Sequence, residues 1–548
     1  MTALAETRSA VSIRLRMVAV AAGLALATIA VSAQLLRLGT AGFSEMRTAS
    51  AEPISQSFSR PDIVDRNGRV IATDVAANSL FADPALILDR DEVAEKLSRT
   101  LPGLSADDLR ALLADRNRRF VWIRRGLAPI EAQRVHDLGL PGIAFRRELK
   151  RVYPSGALLG HVIGQVNPDN RGISGIERFI DEKGNAEPVH GAVTSAARPV
   201  RISIDLGAQH AVLDELTKAV VRYRASGAAG LVMDASSGEI VAAASWPPID
   251  PNVPGSIPDK DKPDRLQGGV YELGSIFKAL TIAMSLDEGT ATLDKVYDVR
   301  RPLTFGRHEI RDLHPLGRPL TVRDIFIHSS NVGAAMMAVE AGNSRQLVFL
   351  ARMGLTEPIR TEAGPVAPPL LPQRWGDVET ATIGFGHGIA VAPLQFTAVM
   401  ASLVNGGHRV TPTFLARASE TTEAREAVLK PATSAAMREL MRLNVTMDHG
   451  TGRRADVPGY RVGGKTGTAE IPGRGGYQEK AVISSFVSAL PMDQPRYILL
   501  VSLFEPQPEE GKSRGITAGL NAAPVTAAIV ERIAPILGIL PRKVSAVP

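Results

Sequence analysis

Tyr271-Glu-Leu-Gly-Ser275-Ile-Phe-Lys278-Ala-Leu-Thr-Ile-Ala-Met-Ser-Leu-Asp-Glu288, closed by Gly289, is the stretch from which the fold of this chain is read. From Ala279 onward the pattern is helical, and the glycine marks its stop. Gly274 puts Ser275 at the opening of that helix, and a spacing of three sets the Ser275 hydroxyl and the Lys278 amine on one face. A serine hydroxyl is a weak nucleophile until a neighbour removes its proton. A lysine can do so once burial or a nearby cation lowers its pKa. The positive end of the helix adds a field that favours negative charge. The same residues also suit a capped, solvated helix start, so the reading depends on what the rest of the chain supplies.

Two further stretches supply it. Ser329-Ser330-Asn331, inside Phe326-Ile-His-Ser-Ser-Asn-Val-Gly333, is on its own a turn. Lys465-Thr466-Gly467-Thr468 lies in Tyr460-Arg-Val-Gly-Gly-Lys-Thr-Gly-Thr-Ala-Glu-Ile471, which reads as a strand whose glycines admit another backbone at close range. A competing pattern overlaps it, because Gly459 to Thr466 also fits the phosphate-loop spacing G-x-x-x-x-G-K-[ST]. Pro458 before it, and Gly467, Pro472, Gly473, Gly475 and Gly476 after it, leave no helix to hold a phosphate. S-x-x-K, S-x-N and K-T-G in that order are far rarer together than each is alone.

The elements around these motifs predict an α+β fold. Val212, Leu213, Leu216, Val220 and Tyr223 share one face of a helix over 208–223. Gly230–Asp234 with Glu239–Ala243, and Val482–Leu490 with Tyr497–Phe504, read as hairpins, and a helix over roughly 522–537 closes the chain. Hairpins at both ends of a long helical middle describe an antiparallel sheet flanked by helices rather than βαβ units. Upstream, Asn67-Gly68 predicts a turn before a strand at 69–73. Helical spacing covers Asp91–Leu138, broken at Pro102-Gly103, while glycine is dense over 151–177 and residues 184–200 are small and polar. A domain boundary is placed near residue 200.

Length and composition bound the rest. The 548 residues, 45% hydrophobic and 22% charged, exceed one core and predict two or three domains. A net charge of +6 without a Lys/Arg-rich block gives no nucleic-acid signal. With no cysteine there is no disulfide, thiolate nucleophile or cysteine-ligated metal. Met17–Leu36 carries only Thr28, Ser32 and Gln34 as polar interruptions between Arg16 and Arg37, about 30 Å as a helix and one bilayer core. Its length favours a retained single-pass anchor with a short tail inside. Val31-Ser32-Ala33 imitates a signal-peptidase site, which is the alternative.

With its three motifs in this order, the chain resembles the penicillin-recognising serine acyltransferases. Arg60 with Asp65-Arg66-Asn67-Gly68, Arg151-Val-Tyr-Pro-Ser-Gly156, His161, Gly164 and Gly175-Ile-Glu177 are similar to the N-terminal module of class B penicillin-binding proteins. Tyr271–Ser275 and Ser329-Ser-Asn-Val-Gly333 are similar to the division-specific branch (penicillin-binding protein 3 type), whose elongation paralogue usually has Asp in place of Asn331. Pro61, where the family usually has glycine, and Ala392, where it usually has threonine, depart from the pattern without touching the motifs.

The resemblance implies a cytoplasmic tail at 1–16, an anchor at 17–37, an elongated non-catalytic dimerisation or pedestal module at 38–200 and a transpeptidase domain at 201–541. It implies a peptidoglycan D,D-transpeptidase that cross-links stem peptides ending in D-Ala-D-Ala at the division septum, is acylated by β-lactams, and uses neither cofactor nor metal. In that role Ser275 is the nucleophile, Lys278 the base, Ser329 a proton relay, Asn331 an orienting amide and Lys465 a fixed positive charge. Thr466, Gly467 and Thr468 line the substrate, and the backbone N–H groups of Ser275 and Thr468 form an oxyanion hole. The implied location is the inner membrane at the division site with the bulk of the chain in the periplasm. The implied partners are a membrane-embedded septal glycosyltransferase and other divisome proteins.

Two other functions compete: a catalytically weak divisome scaffold, and a D,D-carboxypeptidase or β-lactamase-like hydrolase. The second needs a further base for water, and Glu439-Leu-Met-Arg-Leu-Asn444 has neither its place nor its spacing. His161, His308, His314 and His387 lack metal-ligand spacing and read as satisfied or solvated. Gly384-Phe-Gly-His-Gly388 reads as a loop near the cleft, not a dinucleotide fingerprint. Arg60, Asp65 and Glu177 form either a structural ion network or a partner surface.

Overall fold

The architecture is that of a computed structural model, which describes residues 17–37, 58–183, 187–188, 198–253, 255–256, 259, 261–417, 425–473, 476–509, 511 and 515–542. The tail expected at 1–16, residues 38–57 of the module expected at 38–200 and most of the small, polar stretch at 184–200 lie outside the described residues. The chain divides into two units, one of residues 1–57 with 188–192 and one of the remainder from Phe58 on. The described helix of the first is α1 (Met17–Arg37), long and apolar enough to cross a membrane. Its polar interruption Thr28 donates its hydroxyl to the Leu24 carbonyl at 2.8 Å, which satisfies the group within the helix.

The second unit begins with a small sheet. Strands β1 (Ile63–Val64) and β2 (Val70–Ala82) flank the expected turn, where Asp65 accepts the N–H groups of Asn67 and Arg69 and Gly68 takes a φ of +85°. β2 runs thirteen residues, well past the 69–73 expected. Helices α2 (Arg90–Thr100) and α3 (Ala106–Leu112) match the helical spacing and start on Asp89 and Ser105 as N-caps. β3 (Val121–Leu127) corrects it: a strand paired with β2 interrupts the stretch read as helical before α4 (Pro129–His136) resumes it. Its β-branched and aromatic start, Val121-Trp-Ile123, fits a pleated surface better than a helix. β4 (Ile143–Val152) pairs with β2 along ten positions. Leu80, Leu97, Leu101, Leu109 and Val135 close the core between these helices and the sheet.

Helix α5 (Gly175–Glu182) brings Glu177 into a buried network. Glu177 accepts from Arg60 at 2.8 Å and from Arg151 at 2.7 Å, Arg151 also reaches Asp74 at 3.2 Å, and Asp181 pairs with Arg60. Arg60 and Glu177 are 1% and 0% exposed, so this is internal structure and not a partner surface. Asp65 stands apart from it as a turn and helix-end acceptor. The Pro61 carbonyl accepts from Arg151 at 2.9 Å, so the departure at 61 serves the same network through its backbone.

β5 (Val200–Arg201) pairs in parallel with β1 and leads to Asp205, the N-cap of α6 (Leu206–Tyr223). Asn67 donates to Asp205 at 2.7 Å, so the turn of the small sheet holds the start of the helix that opens the larger body. That body is built on an antiparallel sheet of five strands. β6 (Gly227–Asp234) and β7 (Ile240–Trp246) form one expected hairpin. β8 (Gly463–Gly473), β9 (Gly476–Leu490) and β10 (Tyr497–Phe504) complete the order β8-β9-β10-β6-β7. All of β10 is buried, because both faces are covered. Leu499, Val501 and Leu503 pack under α6 and the closing helix over Ala522–Ile536, and Ile498 and Leu500 face the helical middle. Period-two alternation serves two cores at once, which explains an apolar run broken only by Ser502.

Candidate active site

The Ser275 turn is a 3-10 segment over Gly274–Phe277 that feeds α7 (Lys278–Asp287). Gly274 takes a φ of +56°, and a Cβ there would lie 2.8 Å from the Thr468 carbonyl, so the backbone before the serine touches strand β8. Lys278 is fully buried, with its Nζ 2.9 Å from Ser275 Oγ. The same nitrogen lies 2.6 Å from the Ser329 carbonyl, 2.7 Å from Asn331 Oδ1 and 3.1 Å from Ser329 Oγ.

The valence of this amine follows from its partners. The two nearest, a carbonyl and an amide oxygen, only accept. Asn331 cannot be turned over, because its Nδ2 donates to the Arg311 carbonyl at 3.1 Å. A neutral Lys278 therefore spends both N–H bonds on these oxygens and leaves its lone pair for a serine hydroxyl. Burial is the main cause that lowers its pKa, and the nearby Lys465 charge lowers it further against a smaller opposing pull from Asp312.

Ser329 caps α8 (Val322–His328) with a φ of +60°, and Ser330 caps α9 (Asn331–Ala341). The expected turn is thus a junction between two helices. Ser329 Oγ lies 2.9 Å from Lys465 Nζ, which bridges the two amines through one hydroxyl. Lys465, Thr466, Gly467 and Thr468 all lie on β8. No helix follows them, because β9 pairs back along the strand, so the phosphate-loop alternative lacks its anion site. Burial brings the Lys465 amine down to about 7. Its charge near neutrality is therefore conditional rather than fixed, and an anion placed beside it raises the value again.

Ser275, Ser329, Asn331, Thr466 and Thr468 line one cleft of about 720 Å³, together with His387 from the Gly384–Gly388 loop. Burial lowers the His387 pKa against Glu272 and Glu470, so its imidazole is neutral at pH 7. Of the site residues named from the sequence, three do not line it: Gly467 packs behind the wall, and the buried amines of Lys278 and Lys465 reach the cleft through Ser275 and Ser329.

The penicillin-binding protein transpeptidase domain model matches residues 228–531, and the penicillin-binding protein dimerisation domain model matches 56–183. The chain is 38% identical over 487 residues to a probable peptidoglycan D,D-transpeptidase FtsI of Caulobacter vibrioides, covering 88% of this chain and 82% of the relative. It belongs to the penicillin-binding protein transpeptidase family. The peptidoglycan D,D-transpeptidase FtsI of Escherichia coli K12 is 29% identical over 521 residues, covering 91% and 86%. The fold of penicillin-binding protein 3 from Mycobacterium tuberculosis, solved with aztreonam, superposes with a TM-score of 0.68 over 89% of this chain and 98% of that one, at 24% identity.

In this penicillin-binding protein the sequence motifs leave out Asp312. Its carboxylate accepts from Ser330 Oγ at 2.8 Å and from the Val332 N–H at 2.9 Å, which ties down both residues flanking Asn331. Asp312 sits in Arg311-Asp-Leu-His-Pro-Leu316, which has no local pattern to announce it. The glycine of the third motif has a packing reason. A Cβ on Gly467 would lie 2.5 Å from the Leu273 carbonyl and 2.9 Å from Ile276 Cγ2, on either side of the nucleophile. Gly467→Ala is expected to push β8 away from the Ser275 turn and to slow acylation by benzylpenicillin about 100-fold, since misplacement on the scale of an ångström costs that much. Stopped-flow acylation kinetics check this, and a wild-type rate in the variant would show that the close approach is not needed.

Proposed function

We propose that the chain is a peptidoglycan D,D-transpeptidase that cross-links stem peptides at the division septum through an ester on Ser275. The observation that carries this reading is the continuous path Ser275–Lys278–Ser329–Lys465, with every link between 2.9 and 3.1 Å. Ser275 Oγ attacks the carbonyl between the two terminal D-alanines while its proton passes to Lys278. Ser329 relays a proton to the departing amine, the C–N bond breaks, D-alanine leaves, and the acyl group stays on the serine. An acceptor amine then attacks the ester, gives up a proton through the same groups, and frees Ser275. Asn331 holds Lys278 in register, and Lys465 with Thr466 and Thr468 receives the terminal carboxylate. A β-lactam enters the same path and stays as the ester.

The relatives named FtsI support the septal assignment, and α1 supports a single-pass anchor at 17–37. On this reading residues 1–16 are the cytoplasmic tail, 38–200 the periplasmic module and 201–541 the transpeptidase domain. A membrane-embedded glycosyltransferase and other divisome proteins are its partners.

The test uses full-length protein in detergent and a pentapeptide donor. D-Alanine release is expected to rise when an acceptor amine is added, with the cross-linked product accounting for it. Release that ignores the acceptor would make the chain a carboxypeptidase, and no adduct with a fluorescent penicillin would remove the enzyme reading.

A pH effect follows from the two lysines. Lys278 must be neutral to accept a proton, so activity falls as pH drops through its pKa, and the Lys465 charge keeps that pKa low. Lys465→Gln removes one of the two lowering causes, and the acid limb of the acylation profile is expected to move to higher pH. An acid limb that stays put or moves down would break the coupling between the amines.

A further inference from the structure

The direction of the hydrogen bonds around Thr466 is set by a carbonyl behind the cleft wall. Asn444 is buried in the helix over Pro431–Thr446 and donates from Nδ2 to the Gly464 carbonyl at 2.8 Å. A carbonyl only accepts, so the amide has one orientation. Its Oδ1 then faces the Thr451 N–H at 3.2 Å and Thr451 Oγ1 at 2.9 Å. Because Oδ1 only accepts, the Thr451 hydroxyl must donate to it. That leaves the Thr451 oxygen with lone pairs for Thr466 Oγ1 at 2.8 Å, and the Thr466 hydroxyl becomes the donor. Thr466 thus presents lone pairs, not a proton, to a ligand. Thr468 is the reverse case. Its Oγ1 accepts the Ala518 N–H at 3.1 Å, and its own O–H has no protein acceptor among the described residues.

We propose that Asn444, acting through Thr451, is a positioning residue that withholds the Thr466 hydroxyl proton, so that a ligand carboxylate takes its hydroxyl hydrogen bond from Thr468 and Thr466 serves N–H donors. The inference rests on the acyl-serine reading above and divides the carboxylate-binding role that the sequence gives jointly to Thr466 and Thr468. The relay is polar throughout and reaches Thr466 from outside the three motifs, so its effect is on recognition and not on the nucleophile.

The experiment compares acylation by benzylpenicillin and by its methyl ester, which keeps the lactam and lacks the anion. The rate ratio of acid to ester reports carboxylate recognition and is indifferent to a general loss of structure. Thr468→Val is expected to reduce that ratio about tenfold or more, the scale of one hydrogen bond to a charged group. Thr466→Val is expected to reduce it by at least fivefold less than Thr468→Val does. Thr451→Val frees the Thr466 proton, so in that background Thr466→Val is expected to reduce the ratio about tenfold, whereas Thr451→Ser keeps the relay and the wild-type ratio. An equal loss from the two single valine variants, or additive effects at 451 and 466, would overturn the proposal. The two single variants decide its first half even if Thr451→Val does not fold. A wild-type chain that reacts with neither compound would remove the acyl-serine reading instead, which is a separate result.

Discussion

Ser275→Ala is expected to form no covalent adduct with penicillin and to release no D-alanine, a loss on the order of 10⁶-fold that places turnover below detection. The expectation is not trivial, because a second hydroxyl stands in the same cleft. Ser329 Oγ lies 3.1 Å from Lys278 Nζ and 2.9 Å from Lys465 Nζ. Neutral Lys278 spends both N–H bonds on the Ser329 carbonyl and Asn331 Oδ1 and turns its one lone pair to Ser275, so it is no base for Ser329 Oγ, which serves as a conduit for protons. Ser275 Oγ has one amine partner at 2.9 Å, and its proton points to that amine's lone pair. Intact-mass spectrometry after incubation with benzylpenicillin settles the matter, and an adduct on the variant would move the nucleophile to Ser329.

Lys278→Met is expected to slow acylation about 10³-fold, the usual worth of a positioned general base, while Ser275 remains in place. Methionine has nearly the length of lysine and no charge, so it fits a site with no exposed surface. A buried lysine whose pKa lies below its unfolded value costs stability at neutral pH, since the unfolded chain binds the proton that the native state does not. The variant is therefore expected to melt no earlier than the wild type at pH 7, and to gain less at pH 10, where the unfolded lysine begins to shed its proton. Calorimetry at the two pH values checks this. Early melting at pH 7 would mean that the hydrogen bonds to Ser329 and Asn331 matter more than the buried charge.

Much of this molecule is legible in its sequence, and the gaps have physical causes. The helix over 206–223 and the hairpin strands 482–490 and 497–504 were predictable because their periodicity is set by burial on known faces. The Ser275 turn, the Ser329 junction and strand β8 were predictable because glycines, hydroxyls and amines must occur there for the chemistry. Strand β3 was missed because it sits between helices on both sides and carries Arg124 and Arg125 at its centre. β4 hid for a similar reason, as five of its ten residues are charged. Asp312, Asn444 and Thr451 had no signal at all. Each acts on a residue far along the chain through one or two hydrogen bonds, and such contacts leave no periodic trace. The lowered pKa of Lys465 left no trace in the sequence either, because burial is a tertiary property.

The φ of +60° at Ser329 has a consequence for how the site can vary. Threonine carries the same hydroxyl, but branching at Cβ makes a left-handed backbone a steric outlier, so the two alcohols are not interchangeable there. Thr468 lies in an extended strand, where either is accommodated. A lineage escaping a drug by exchanging one alcohol for the other has that route open at 468 and closed at 329.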